Sequence, residues 1–292
     1  MSSPAASFFG HPRALATLFF TEMWERFTFY GMRALLVLFL VDAVASGGYG
    51  FDDKTATAIY GLYTAAVFMA ALPGGWIADR LIGAQRAVMA GGALMTIGNL
   101  MLVIPGPPPL FFGGLAVIVL GVGLLKPNIS TLVAELYPEG GGRRDAGFTI
   151  FYMGINLGAF IGPLIAGWLA LKYGWRIGFL AAAIGMPLGL AQFWLSRGLL
   201  GGAGVSAHRP DRDTGLRRDW IVLGAGVAML ALAAFLLMSG VVAVNPAPLA
   251  KAAAYVLVGM AAAYFLYLFF GAGLDKVERK RVVVVLVMFV AC

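Results

Sequence analysis

The chain has 292 residues, of which 61% are hydrophobic and only 12% are charged, and it carries a net charge of +7. An ordinary soluble domain has about 25% charged residues, and much of any folded surface must contact water. The composition therefore excludes an ordinary soluble protein and indicates a chain that crosses a lipid bilayer.

Other classes of protein are excluded by simple features of the sequence. The Lys and Arg residues lie mostly in loops between apolar runs, which is typical of topology signals and does not favour a nucleic-acid partner. Cys292 is the single cysteine, so an intrachain disulfide or a cysteine-based metal site is not possible. His11 and His208 lack the spacing of metal ligands. No hydrolase, metalloprotease or phosphate-loop motif is present, so we expect no cofactor and no enzyme.

Eight apolar runs are long enough to be membrane-spanning helices, which need about 20 residues to cross the hydrocarbon core. No strand-like alternation is present, so the sequence predicts an all-α membrane protein. The first six runs form the predicted unit 14–197, and two more follow within 220–271. The runs cover 14–43, 56–78, 87–104, 110–136, 147–171, 177–196, 220–243 and 248–271.

The positive charges predict the orientation of these helices. Fourteen Lys and Arg residues lie on the side of the N-terminus, four lie on the opposite side, and three lie within the runs. Because cytoplasmic loops are enriched in Lys and Arg, we expect residues 1–13 to be cytoplasmic and the protein to be a multi-pass protein of the inner membrane.

The C-terminal third of the chain is predicted to be less regular. Residues 198–219 are rich in Gly and Arg and are expected to form a cytoplasmic linker. The two helices within 220–271 have almost no internal polar groups, which favours a peripheral role. In 272–292, a cytoplasmic loop precedes an apolar run of eleven residues from Val282, about 16 Å of helix. We expect this chain to be the N-terminal part of a longer protein.

The first predicted helix contains four charged residues. Each costs about 2.5–3.5 kcal/mol on insertion scales, so such residues need partners and usually mark function. Glu22, Glu25 and Arg26 share one face of the helix, and Glu22 can pair with Arg26 four residues later; Arg33 lies two turns further on. This face is predicted to contact another helix or a water-filled cavity.

The fourth predicted helix adds Lys126, followed by Pro127 and Asn128. At 1.5 Å per residue, Lys126 lies at a depth similar to that of Glu22 and Arg26. A carboxylate in such a cluster could bind a proton in competition with the nearby cations. The alternative is a static ion-pair cluster that only holds helix 1 against helix 4.

Three further sets of residues are candidates. The turn between helices 2 and 3 contains Gly75, Asp79, Arg80, Gly83 and Arg86, and an Asp among basic residues could fasten the helix ends. In helix 5, Gly158 and Gly162 favour close helix packing, and Asn156 could be an interhelical tie or a binding residue. The remaining candidates are tyrosines that could line a polar cavity, namely Tyr30, Tyr63 and Tyr152.

Together these motifs resemble those of the proton-dependent oligopeptide transporter family, a bacterial-type branch of the major facilitator superfamily. The resemblance is carried by Glu22-x-x-Glu25-Arg26-Phe27 with Phe29 to Arg33, by the turn from Gly74 to Arg86, by Lys126 before Pro127 and Asn128, and by Phe148 to Phe160. It implies the N-terminal six-helix bundle of the major facilitator fold, two inserted helices, and the start of the seventh core helix after Glu278-Arg-Lys-Arg281.

The resemblance also implies import of di- and tripeptides driven by protons, the only coupling ion expected. Proton coupling would involve Glu22, Glu25, Arg26 and Lys126. The peptide would contact Arg33 and Lys126 through its carboxylate, with Tyr30, Tyr63, Tyr152 and Asn156 around it, and the turn of helices 2 and 3 would be a structural gating element. The missing partner would be the C-terminal six-helix half. Two alternatives stay open: a carrier of another anion such as nitrate, and a membrane scaffold that does not transport.

Overall fold

The structure, a computed structural model, describes residues 7–205, 207, 215–238 and 246–291. Within these ranges the chain is almost entirely helical and forms no extended strand beyond an isolated bridge between Phe8 and His11, so the predicted all-α fold is confirmed. The nine α-helices of the described residues are α1 (Ala14–Val41), α2 (Asp53–Ile77), α3 (Ala84–Val103), α4 (Pro108–Glu135), α5 (Gly141–Tyr173), α6 (Trp175–Ser196), α7 (Leu216–Met238), α8 (Pro246–Phe270) and α9 (Lys276–Ala291).

The hydropathy pattern located these helices better than it located their ends. Among the described residues, α2 to α6 and α8 are long and apolar enough to cross a membrane. Helix α1 carries four charged residues within its length. Helix α5 starts at residue 141 instead of 147, α7 starts inside the predicted linker, and α9 starts at residue 276 instead of 282. These helices continue into the polar region because backbone hydrogen bonding does not depend on an apolar side chain. His208 and Cys292 lie outside the described residues.

Helix α1 lies at the centre of the bundle formed by α1 to α6. It packs against α5 and α6, while α2 and α3 both pack against α4, and α6 also contacts α3 and α5. Close approach depends on glycine: a Cβ atom added to Gly158 or Gly162 of α5 would collide with the backbone of α1 at Met23 and Phe27. The predicted packing role of this glycine pair is therefore confirmed.

Aromatic side chains close the end of the bundle that lies opposite the chain's N-terminus. The ring of Phe39 contacts those of Tyr49, Phe111 and Phe179, with centroids between 4.9 and 5.2 Å apart. Trp175 donates a hydrogen bond of 2.6 Å from its indole nitrogen to Asp42. The ends of α1 and α6 are thereby fixed together.

At the other end, a short segment after α6 packs on the ends of α3 and α4. Residues 78–82 form one π-helical turn, and Gly83 has a φ of +82°, which lets the chain turn directly into α3. The side-chain amide of Gln85 donates to the Ala203 carbonyl at 2.6 Å, and Glu135 accepts a hydrogen bond of 2.6 Å from the backbone of Gly204. Residues 197–205, predicted to be mostly a linker, are therefore held firmly against the bundle.

Helices α7 and α8 lie outside this bundle. None of their described residues is buried. Helix α8 contacts α2, and Asp219 at the start of α7 lies 3.8 Å from Arg80. Their peripheral position agrees with the prediction from their lack of internal polar groups.

Candidate functional site

Three charged residues of α1 form a compact cluster inside the bundle. Glu22, Glu25 and Arg26 are 2%, 0% and 3% exposed. Arg26 Nε lies 3.0 Å from Glu22 Oε1, as the spacing of four residues predicts, and it also contacts Glu25 Oε2. One guanidinium therefore serves two carboxylates at a depth where an unpaired charge is costly.

Several buried polar atoms in and beside this cluster have no hydrogen-bond partner among the described residues. Glu22 Oε2, Glu25 Oε1 and Arg26 Nη2 are buried and have no hydrogen-bond partner among the described residues, and the hydroxyls of Thr28 and Tyr63 are in the same position. Groups of this kind usually find a partner in a folded protein. These atoms can therefore bind a proton or a water molecule, or form a new ion pair, without first losing an existing hydrogen bond.

Aromatic rings separate this cluster from Arg33, two turns further along α1. The Arg26 guanidinium lies 5.4 Å from the centre of the Phe29 ring and 6.0 Å from that of Tyr30. Arg33 lies 5.8 Å from the centre of the same Tyr30 ring. Tyr30 thus contacts both cations, at distances where its ring attracts positive charge.

Arg33 is held by a residue that the sequence reasoning did not identify. Its Nε donates a hydrogen bond to the hydroxyl of Tyr60 on α2, and its guanidinium lies 5.0 Å from the centre of that ring. Tyr60 precedes the predicted Tyr63 by three residues, so both lie on the same face of α2. This spacing was the available signal for Tyr60.

Lys126 of α4 completes the group of charges. It is half-buried, with Nζ 5.3 Å from the centre of the Phe68 ring. It interacts electrostatically with Glu22, Glu25 and Arg26 but forms no ion pair within 4.0 Å among the described residues. The structure therefore brings α4 to the α1 cluster, as the depth comparison predicts, with an ammonium group that is free to bind another anion.

The remaining predicted peptide contacts fall into two groups. The Tyr63 ring stacks on Phe29 at 6.2 Å, and its buried hydroxyl interacts electrostatically with Glu25 and Arg26. Tyr152 and Asn156 lie four residues apart on the exposed face of α5. No hydrogen bond, ion pair or ring contact joins them to the α1 cluster within the described ranges, and their role stays a prediction.

The predicted gating turn spans the π-helical segment and the start of α3. Arg80 pairs with Asp219 of α7, whereas Asp79 is exposed and has no ion pair in the described part of the chain. Gly75 lies beside Pro127, and Gly83 lies against the backbone of residues 204 and 205. The contact between this turn and a neighbouring helix is therefore made by Arg80 with Asp219 of α7. Arg86 lines a separate cleft.

No cluster of His, Cys, Asp or Glu that could hold a metal ion exists among the described residues. The available chemistry is binding: two carboxylates that exchange protons or cations, and two cations, Arg33 and Lys126, that can hold an anionic group in an aromatic setting.

Comparison with known proteins shows that this chain is similar to members of a family of transporters. Residues 85–203 match the model of the POT family. The chain is 41% identical to the peptide transporter YePEPT of Yersinia enterocolitica over 98% of this chain and 57% of that protein. It is also 40% identical to a di-/tripeptide transporter of Lactococcus lactis, over 80% of this chain and 47% of that protein. The chain thus spans about half the length of the curated relatives it matches.

Solved structures have the same fold. A POT family transporter in complex with a thioalcohol-conjugated peptide superposes with a TM-score of 0.87 at 38% identity, covering 98% of this chain and 59% of that one. The described helices therefore have the fold of the matched part of these POT family structures.

Proposed function

From the premise that this chain belongs to the POT family, we propose that it serves in a proton-coupled symporter that imports di- and tripeptides across the cytoplasmic membrane. Protons are the coupling ion, and no other cofactor or enzymatic step is needed. The N-terminus is cytoplasmic, as the excess of Lys and Arg on that side favours.

The observation that carries the proposal is the pairing of two buried carboxylates with one guanidinium on α1. When Glu22 and Glu25 are both ionised, the three groups carry one negative charge. When one of them binds a proton, the group is neutral. Because the cluster is buried, this change alters the electrostatic field at Lys126 more strongly than it would in water.

Lys126 connects proton binding to substrate binding. With both carboxylates ionised, its ammonium is attracted towards the cluster. With one carboxylate protonated, that attraction weakens and Lys126, together with Arg33, is available for the carboxylate of a peptide. Competition between the cluster and the substrate for the same cation is a physical basis for symport.

Aromatic and amide side chains surround the proposed binding site. Tyr30, Tyr60 and Tyr63 lie next to Arg33 or the cluster, and we propose that Tyr152 and Asn156 face the same cavity from the exposed side of α5. Alternating access needs a second bundle that moves against this one around the site. We therefore expect a C-terminal six-helix half as the partner, and a structural gating role for the turn that contains Gly75, Asp79, Arg80, Gly83 and Arg86.

The test is uptake of labelled dialanine by the full-length protein in proteoliposomes with an imposed pH gradient, acidic outside. Lys126→Ala should reduce uptake by at least about tenfold, because a charge-assisted hydrogen bond is worth about 1.5–3 kcal/mol. Lys251→Ala is the matched control, since that lysine is exposed on the inserted helix α8, outside the six-helix bundle; this variant should transport normally.

A second pair of variants separates proton coupling from substrate binding. Glu22→Gln should abolish uptake driven by the pH gradient while retaining exchange of labelled for unlabelled dialanine, whereas Glu139→Gln in the exposed loop before α5 should leave both intact. Normal gradient-driven uptake by Lys126→Ala and Glu22→Gln, at normal expression, would contradict the proposal. Transport of nitrate without peptide would favour the anion carrier, and loss of folding alone would favour the scaffold.

A further inference from the structure

A small basic cleft lies at the cytoplasmic ends of α3 and α6, away from the transport site. It has a volume of about 180 Å³ and is lined by Gln85, Arg86, Met89, Arg197 and Val205. Two arginines thus line one cavity, and none of the lining residues that the structure describes is a carboxylate. This is unusual for a chain in which only 12% of the residues are charged.

The cleft is built by the segment that follows α6. Arg197 begins a short 3₁₀ turn, and residues 203 and 204 are bonded to Gln85 through its side-chain and backbone amides at 2.6 and 3.0 Å. These bonds fasten the segment to the first turn of α3, which also carries Arg86. The two arginines therefore line the same cleft because tertiary hydrogen bonds fix the segment after α6 to the start of α3.

Neither arginine has a carboxylate to neutralise it. Arg26 and Arg80 form ion pairs, whereas Arg86 and Arg197 form none among the described residues. The nearby Glu135 already accepts the backbone N–H of Gly204. The Arg197 guanidinium lies 6.0 Å from the centre of the Trp194 ring. In the part of the chain that the structure describes, the cleft therefore presents two arginines without an ion-pair partner.

The surroundings of the cleft match the boundary between headgroups and acyl chains. Trp194 is 53% exposed, and exposed Trp is enriched at that boundary. Met89 and Leu100 lie eleven residues apart, three turns along one face of α3, and Leu100 is exposed. Exposed apolar side chains of α3, Ile97 and Leu100, thus follow the cleft along this helix.

We propose that this cleft binds the phosphate group of an anionic phospholipid from the cytoplasmic leaflet, with one acyl chain along α3. Guanidinium groups bind phosphate oxygens through paired hydrogen bonds, and basic pockets between membrane helices on the cytoplasmic side suit anionic headgroups. The inference depends on the membrane position of α3 and α6 and not on which solute is transported. It adds a role for Arg86 beyond that of the gating turn.

The experiment measures the lipid preference of the purified full-length protein. Protein in detergent is mixed with equal amounts of phosphatidylglycerol and phosphatidylcholine, and the bound lipids are counted by native mass spectrometry. Wild type should favour phosphatidylglycerol, and the double variant Arg86→Gln/Arg197→Gln should weaken its binding roughly 30-fold, since each basic residue near anionic lipid contributes about 1 kcal/mol. The matched control is Arg143→Gln/Arg144→Gln, which removes two exposed arginines from the same side.

The outcomes separate the sources of the phosphate group. An equal loss in both double variants would show general surface attraction and overturn the proposal. Displacement of phosphatidylglycerol by millimolar inorganic phosphate would overturn it in favour of a free anion site. Thermal unfolding in detergent without added phosphatidylglycerol should be the same for wild type and Arg86→Gln/Arg197→Gln, and the unfolding temperature should rise on adding that lipid only where both arginines are present.

Discussion

The core bundle and the inserted helices are both strongly hydrophobic, yet they use that property differently. Helix α8 is more apolar than α3, but none of its described residues is buried, whereas almost half of the most apolar stretch of α3 is buried. Hydrophobicity therefore shows that a helix enters the membrane and does not show what it packs against.

Small residues and charges make the difference between the two regions. In the core, the backbone of one helix lies directly against glycines of another, as at Gly158 and Gly162, and α1 can bury three charged side chains between its neighbours. In α7 and α8, the space where a Cβ would lie at Gly226 or Gly259 is open. Without a strong hydrophobic drive between helices inside a membrane, close backbone contact is what holds a bundle together.

The largest effect that would sharpen this comparison is expected from two glycine variants. Gly158→Val should destabilise the protein by about 3 kcal/mol, since the new side chain collides with the backbone of α1 and overpacking of this kind is costly. Gly226→Val on α7 should leave the unfolding temperature unchanged because its surroundings are open. Thermal unfolding of the full-length protein in detergent measures both, and equal unfolding temperatures would show that the two regions do not differ in packing.

A smaller effect is expected from Tyr60, whose hydroxyl bonds to another helix of the core bundle. Tyr60→Phe removes the hydroxyl that accepts the hydrogen bond of Arg33, so Arg33 should hold a peptide less well and KM for dialanine should rise three- to tenfold, about 0.7–1.4 kcal/mol. The maximal rate should change little.

Tyr255→Phe on α8, where the tyrosine is 68% exposed, is the matched control for uptake kinetics. An unchanged KM in Tyr60→Phe would mean that this contact does not position Arg33 for substrate.

The smallest effect is expected at the end of the core that lies near the chain's N-terminus. The Tyr137 hydroxyl, just after α4, is hydrogen-bonded to His11 Nδ1 at 2.8 Å, so Tyr137→Phe should cost about 0.5–1.5 kcal/mol of stability at neutral pH. Burial raises the pKa of Tyr137 above its usual value, and Arg143 opposes this only in part. The folded state therefore favours the protonated hydroxyl. Its contribution to the free energy of unfolding is present below about pH 10 and is lost as the pH rises further.

Unfolding temperatures at pH 7.5 and 10.5 test both statements about Tyr137. The difference between the two temperatures should be smaller in Tyr137→Phe than in wild type, whereas Tyr264→Phe on α8 should behave as wild type. If the unfolding temperature falls equally between the two pH values in all three proteins, groups other than Tyr137 cause the loss of stability at high pH.

The sequence predicted the helices and the charged part of the site because both depend on local patterns. The spacing of Glu22 and Arg26 is enough to place them within an ion-pair distance on one helix, and 3.0 Å is observed. The contact of Arg33 with Tyr60 depends on how α1 and α2 are rotated against each other, which no spacing within one helix reveals. The cleft of Arg86 and Arg197 was missed for the same reason, since residues 198–219 were expected to be a cytoplasmic linker.

The most direct test of the buried cluster on α1 as the proton-binding element is calorimetry of peptide binding. Titration of the full-length protein with dialanine in two buffers of different ionisation enthalpy gives the number of protons exchanged on binding. The account predicts that wild type and Glu139→Gln exchange a measurable number of protons near neutral pH and that Glu22→Gln and Glu25→Gln lose this exchange while still binding the peptide. Undiminished proton exchange in both α1 variants would contradict the account.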